Sequence, residues 1–332
     1  EIIARGLVRI LRTARRALRR VGTTQRIAEE VAEWCGICLE MIAGRLQTSP
    51  ASSHRTRWEW RAEEATGPAR EADSRRSSSG SAAPRVTRRA AAQSIGAAIV
   101  DVIMPTHNGE RSIGLAINSL LAQTEQRWHL IVVDDGSTDN TTGILSGIED
   151  DRITVIETMQ RGVSAARNSG LLAGRSETVA FLDCDDQAST EWLSELRPTV
   201  ATPLVRAQAS LVAADGKVRR WKARNSPLLA GTFVVRRDLI SAVGGYDEKL
   251  AYSENTDLGF RLEEAIRSRE LSVQYVEIPL VSVNHDQSRS IKYPPAVLRD
   301  SAEVMLEKHR ERFSYSSHLE AVYEAIAGYN SL

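Results

Sequence analysis

Val132-Val133-Asp134-Asp135-Gly136-Ser137-Thr138-Asp139 and, further on, Phe181-Leu182-Asp183-Cys184-Asp185-Asp186 are the stretches whose reading decides the fold. Each is the end of a short apolar run that stops abruptly in carboxylates. Such a run, bounded by Gly, Ser and Asp, reads as a buried strand leaving the core for a loop. Working outward, residues 129–133 and 178–182 are the strands that feed the two acidic clusters. Residues 100–104 form another, ending in Pro105-Thr106-His107-Asn108, and residues 153–157 a fourth. Between them 112–123, 139–148 and 163–173 carry the apolar spacing of amphipathic helices. Strictly alternating strands and helices predict an α/β domain, with a Rossmann-like, mostly parallel sheet flanked by helices. Ligands bind such sheets at the carboxyl ends of the strands, so the three polar clusters are expected to meet on one edge.

The rest of the chain bounds this reading. It has 332 residues, 42% hydrophobic and 26% charged, the profile of a soluble globular protein. Its formal net charge of zero hides an asymmetry: the first hundred residues are Arg-rich without Lys, so the remainder is net acidic. The three cysteines, Cys35, Cys38 and Cys184, are too few for a disulfide framework and fit a reducing, cytoplasmic setting. No apolar run is long enough to span a bilayer, and a signal peptide is not expected. The chain opens on Glu1 rather than Met, as a fragment or a misplaced start codon would.

Four segments are expected. Residues 1–46 read as a helical segment in which Ile3, Leu7, Ile10, Leu11, Ala14 and Leu18 alternate with arginines. A basic amphipathic helix of this kind can lie peripherally on the inner face of an anionic membrane, and the plainer reading is a solvated helix. Residues 47–97, rich in Ser, Ala, Arg and Pro, read as a disordered linker. Residues 98–312 are the α/β domain, and 313–332 a C-terminal helix. Cys35-Gly36-Ile37-Cys38 has CxxC spacing but neither the preceding strand of a redox motif nor the further ligands of a zinc site.

The acidic clusters suit one kind of chemistry. When a nucleotide-sugar loses its sugar, charge develops on the departing diphosphate, and a hard divalent cation held by oxygen ligands neutralises it. Asp183 and Asp185, directly after an apolar strand, are candidate ligands for Mg2+ or Mn2+, with Asp186 beside them. The plain alternative is an Asx turn. Asp134 or Asp135 is placed to accept hydrogen bonds from a base or ribose, while Ser137 or Asp139 caps the next helix. Gly162-Val163-Ser164-Ala165-Ala166-Arg167-Asn168 opens a helix whose N-terminus attracts phosphate. Arg167 adds a fork of donors there, or pairs with a nearby carboxylate.

Together, Val102 to Asn108, Val132 to Asp139, Arg161 to Asn168 and Phe181 to Asp186 resemble family-2 glycosyltransferases in order and spacing. Gly244-Gly245-Tyr246-Asp247-Glu248 and Ser253-Glu254-Asn255-Thr256-Asp257-Leu258 are similar to that family's acceptor-side segment. The resemblance covers about 98–290. It implies a GT-A fold and inverting, metal-dependent transfer of a sugar, hexosyltransferase-like, from a nucleotide-diphosphate-sugar (a UDP-sugar favoured) to a saccharide or lipid-linked acceptor, as in cell-envelope polysaccharide assembly. It implies that Thr106, Asp134 and Arg167 contact the nucleotide, with His107, Asn108 and Asp135 on the same side, and that Asp183 and Asp185 hold ribose and metal. His285, after a strand at 280–284, stands where the family covers the pyrophosphate, and is counted with the metal ligands.

Two departures matter. His107 replaces the aromatic residue many members stack on the base. Asn255 stands where many members have the catalytic Asp, and an amide takes no proton at neutral pH. Glu254 and Asp257 are therefore the candidate bases, with helix capping at 254–266 as the structural alternative for each. The competing function is a nucleotide-sugar-binding scaffold without turnover. A nucleotidyltransferase would need a Gly-rich loop after the first strand, which Pro105-Thr106-His107-Asn108-Gly109 is not. The N-terminal arginines lack a nucleic-acid-binding motif, so no nucleic-acid partner is expected.

Overall fold

The structure, a computed structural model, describes residues 84–88, 98–224, 226–284, 295–314 and 323. The readings of 1–46, of most of 47–97, of His285 and of most of 313–332 lie outside these residues.

One sheet organises the domain. The strands are β1 (Arg85–Arg88), β2 (Val100–Thr106), β3 (Trp128–Asp135), β4 (Ile153–Thr158), β5 (Thr178–Phe181), β6 (Gln187–Ala188), β7 (Leu204–Val212), β8 (Val218–Trp221), β9 (Phe233–Arg236) and β10 (Val273–Asn284). The helices are α1 (Ile113–Leu121), α2 (Thr141–Ser146), α3 (Val163–Ala173), α4 (Trp192–Glu195), α5 (Arg237–Ala242), α6 (Glu254–Ser268), α7 (Pro295–Lys308) and α8 (Arg310–Ser314). The sheet order is β1-β4-β3-β2-β5-β9-β7-β10-β6, with β8 paired to β7. β4, β3, β2 and β5 are parallel, and β7 and β10 share their direction. β9 is reversed between β5 and β7. The expected mostly parallel sheet is therefore present, with reversals at β9 and at the short strands β1, β6 and β8.

The central strands are apolar on both faces because helices cover both. Val102, Met104, Leu130 and Val132 face a cluster that includes Ile113, Ala116, Ile117 and Leu120 of α1, the buried stripe of that helix. Ile103, Val179 and Phe181 face the other cluster, with Leu258, Leu262 and Ile266 of α6. α3 packs tightly on β2: a Cβ on Gly170 would lie 2.5 Å from Ile103 Cγ2, so only glycine admits this approach.

Two parts of the sheet depart from the sequence reading. Arg85–Arg88, inside the segment read as linker, is an edge strand antiparallel to β4, so that segment is not wholly linker. Leu204–Val212, a nine-residue strand in a stretch without recognisable motif, lies between β9 and β10. Val205 to Leu211 alternates apolar and polar, but the polar face is not solvated: Arg206 and Gln208 are buried as well. Arg206 is bonded there to the carbonyls of Ser226 and Pro227, and Gln208 to Glu277. α8 also runs across the expected boundary at residue 312.

Candidate functional site

β2, β3 and β5 end side by side, and the three polar clusters do converge on that edge. The loops after β2 and β3 are stitched together by Asn108. It sits in the left-handed region at φ 56°, where Asn is tolerated. Its Oδ1 accepts from the Thr138 and Asp139 amides at 2.6 and 3.2 Å, and its own amide donates to Ser137 Oγ at 2.8 Å. His107 is fixed by the same weave. Its Nδ1 lies 2.9 Å from the Asp135 carbonyl and its Nε2 3.1 Å from Asn108 Nδ2, a pattern satisfied by the Nδ1–H tautomer. The ring's orientation is thereby set. Thr106 closes β2 as a 3% exposed residue whose hydroxyl has no hydrogen-bond partner, an unsatisfied polar atom at the site edge.

The two aspartates after β3 do different work. Asp134 accepts from the Ser137 amide at 2.9 Å and from Thr142 Oγ1 at 3.1 Å, holding the turn into α2. Asp139 accepts from the amide of Thr141, the first residue of α2, at 3.0 Å. Asp135 reaches sideways, taking the amides of Arg161 and Gly162 at 2.9 and 2.7 Å and Thr158 Oγ1 at 2.8 Å, and so fixes the entry to α3. Both carboxylates are buried, so in this arrangement they hold the loops after β3 and β4.

Arg167 is placed differently from the expectation that it touches nucleotide. Its residue is 1% exposed, and it projects from α3 under the acidic loop. One terminal nitrogen donates to Asp183 Oδ1 and the other to Glu254 Oε1, each at 2.8 Å. Burial opposes its charge, but Asp183 and Glu254 outweigh that and hold the guanidinium firmly protonated. Its open alternative, pairing with carboxylates, is the observed one. Below it lies Tyr246, with the guanidinium carbon 5.1 Å from the ring centroid and Phe181 edge-on at 5.1 Å. The Tyr246 hydroxyl donates to Asn255 Oδ1 at 3.0 Å, and Asn255 Nδ2 donates to Glu254 Oε1 at 3.0 Å. Gly245 makes this approach possible: at φ 70°, a Cβ there would lie 2.7 Å from Asn168 Oδ1, which accepts from the Tyr246 amide.

Of the two candidate bases, Asp257 is the more enclosed. Its side chain is fully buried, ion-paired with Arg261 and with Lys308 at 2.8 Å, and hydrogen-bonded with His309 Nε2 at 2.9 Å. Burial raises its pKa, but donation from His309, Arg261 and Lys308 prevails and holds the carboxyl far below the usual range. Through Lys308 it joins α6 to α7. Glu254 is the remaining carboxylate of the pair. Its side chain is 13% exposed, and both of its hydrogen bonds fall on Oε1.

For a divalent cation the residues present fit, as part of a set. Asp183 has a side chain 35% exposed, and Asp185 is half-buried next to it, both hard oxygen donors at the carboxyl end of β5. Among the described residues no group of three or more His, Cys, Asp or Glu side chains is placed to hold a metal alone. Mg2+ and Mn2+ typically take one or two carboxylates and fill the rest of their shell with phosphate and water. Asp186 turns away, 3% exposed, to accept the Asn284 amide at 2.9 Å. Sequence reasoning did not find the Tyr246–Asn255–Glu254 relay or the cations around Asp257. The Asp257–Arg261 pair, four apart on one helix, was open to local spacing, but His309 lies 52 residues from Asp257, and the relay depends on how the turn at Gly245 brings Tyr246 against α6.

Residues 101–254 match the profile described as Glycosyl transferase family 2. The chain is 32% identical over 214 residues to the pre-mycofactocin glycosyltransferase of Mycobacterium tuberculosis, covering 56% of this chain and 43% of that one. It is 39% identical over 89 residues to the UDP-Glc:alpha-D-GlcNAc-diphosphoundecaprenol beta-1,3-glucosyltransferase WfgD of Escherichia coli, covering 26% and 35%. It is 40% identical over 92 residues to the putative teichuronic acid biosynthesis glycosyltransferase TuaG of Bacillus subtilis, covering 27% and 36%. These matches span less than half the length of those relatives. Among solved structures, S. aureus TarS 1-349 in complex with UDP-GlcNAc is 20% identical with a TM-score of 0.48, covering 62% of this chain and 66% of that one.

Proposed function

We propose, from the match of residues 101–254 to glycosyl transferase family 2, that this domain is a glycosyltransferase of that family and transfers a sugar from a nucleotide-diphosphate-sugar to an acceptor hydroxyl with inversion. The observation that carries the reading is the Arg167 bridge. One buried guanidinium holds the donor-side carboxylate Asp183 and the acceptor-side carboxylate Glu254 at fixed separation. Direct displacement needs such a pairing, with the leaving diphosphate on one side and a base on the other. Glu254 Oε2 is the base in this reading, since Oε1 is committed to Arg167 and Asn255. Asp183 and Asp185 would hold Mg2+ or Mn2+, which neutralises the departing diphosphate. The Thr106 hydroxyl and the fixed His107 ring face the nucleotide. WfgD's name specifies a UDP-sugar and a diphospholipid-linked acceptor, which favours UDP and a lipid-linked saccharide here.

A binding scaffold without turnover is the second reading, favoured by Asn255 and by the ion pair already on Glu254. A screen of nucleotide-sugars, reading thermal stabilisation beside Mn2+-dependent release of nucleoside diphosphate, separates the two. Stabilisation with release supports the transferase, stabilisation without release the scaffold. Absence of both refutes the donor site.

A further inference from the structure

Lys217-Val218-Arg219-Arg220-Trp221-Lys222-Ala223-Arg224 is cationic at every position but Val218, Trp221 and Ala223, in a domain that is net acidic as a whole. β8 is the strand inside this run, folded back on the end of β7 with Val218 opposite Val212 and Trp221 opposite Ala209. Trp221 packs against the central apolar cluster and anchors the ribbon. Its cations are exposed. Lys217 is taken by Asp215, and Arg224 lies 3.5 Å from Glu277. Among the described residues no carboxylate pairs with Arg219, Arg220 or Lys222.

Two features say what these charges suit. Side chains alternate along a strand, so Val218, Arg220 and Lys222 share one exposed face, while Arg219 shares the other with the core-packed Trp221. A pocket for one phosphate needs converging donors, whereas a row of cations along one face of a ribbon fits an extended anionic plane. Val218, 61% exposed among them, adds an apolar contact that a soluble polyanion cannot use. The ribbon is also at the working edge of the sheet. Val212 pairs with Asn284, whose amide holds Asp186 of the acidic loop, so β8 lies roughly two strand spacings, about 10 Å, from β10.

We propose that the β7–β8 ribbon docks this edge of the domain on an anionic lipid bilayer through the face carrying Val218, Arg220 and Lys222, with Arg219 adding positive charge from the other side. The surface is distinct from the basic segment at 1–46 and does not require the transferase reading. It would present the acidic loop to acceptors carried in the bilayer. The test is sedimentation of the full chain with phosphatidylcholine vesicles, with and without phosphatidylglycerol. Binding is expected only to the phosphatidylglycerol vesicles and should weaken with salt. Each cation near such a surface strengthens partitioning about fivefold, so R219Q/R220Q/K222Q should lower it about a hundredfold, with unchanged circular dichroism and unfolding midpoint. Val218→Ser should lower it by a smaller factor. Equal binding by the triple variant, no binding by the unmodified chain, or capture by polyphosphate but not by vesicles overturns the proposal. Vesicle binding needs no donor, so failure here leaves the transferase reading standing, and failure of turnover leaves this one standing.

Discussion

Replacing Asp257 by Asn removes one charge and almost no volume. The side chain is fully buried, the cations Arg261 and Lys308 converge on it, and His309 Nε2 lies within hydrogen-bond distance. Removing one partner of a buried ion pair costs about 3–5 kcal/mol because the other is left uncompensated. Some of that is recovered here. Arg261 also donates to the Val243 and Gly245 carbonyls, Lys308 also pairs with Asp247, and an amide oxygen still accepts one bond. We therefore expect a loss of about 2–3 kcal/mol, a fall in melting temperature of about 4–12 °C for a domain of this size. The acid response gives an independent check. The folded carboxyl titrates below its unfolded range, so its contribution is complete above about pH 5 and is lost as pH falls through about 4 toward the folded value. The gap between the native chain and Asp257→Asn should thus close on acidification, read by urea unfolding from pH 7 to pH 3. Turnover at a temperature where both are folded should change little. A variant as stable as the native chain but inactive would refute the structural role and make Asp257 the base.

Three further outcomes follow from the same geometry. Glu254→Gln should lower turnover by about two to four orders of magnitude while calorimetry shows donor affinity nearly unchanged, since the base meets the acceptor; undiminished turnover removes Glu254 from the chemistry. Asp185→Ala should abolish turnover with an unchanged unfolding midpoint, and excess chelator should do the same to the native chain; full activity in either case rules out the cation at Asp183 and Asp185. Asn108→Ala deletes the acceptor for the Thr138 and Asp139 amides at a left-handed backbone position, so a loss of about 1–3 kcal/mol is expected by denaturant titration, and a neutral result would mean the two loops are held otherwise.

What the sequence determined by itself was set by local chemistry. The runs that became β2, β3, β4 and β5, and the helix at 163–173, follow from apolar period and from the carboxylates and glycines that end each strand. The convergence of the three clusters follows too, because parallel strands place their carboxyl ends together. The tertiary structure decided which member of each cluster works outward and which inward. Asp134 and Asp135 look alike in the chain, yet one holds its own turn and the other ties β3 to α3. Glu254 and Asp257 are one helical turn apart, yet Glu254 meets the Arg167 side and Asp257 is enclosed by cations from its own helix and the next. Strand β7 alternates as a half-solvated strand would, yet it lies inside the sheet with Arg206 and Gln208 buried, and their partners come from residues distant in the chain. Burial and charge pairing across such distances depend on how the sheet closes, and no local pattern encodes them.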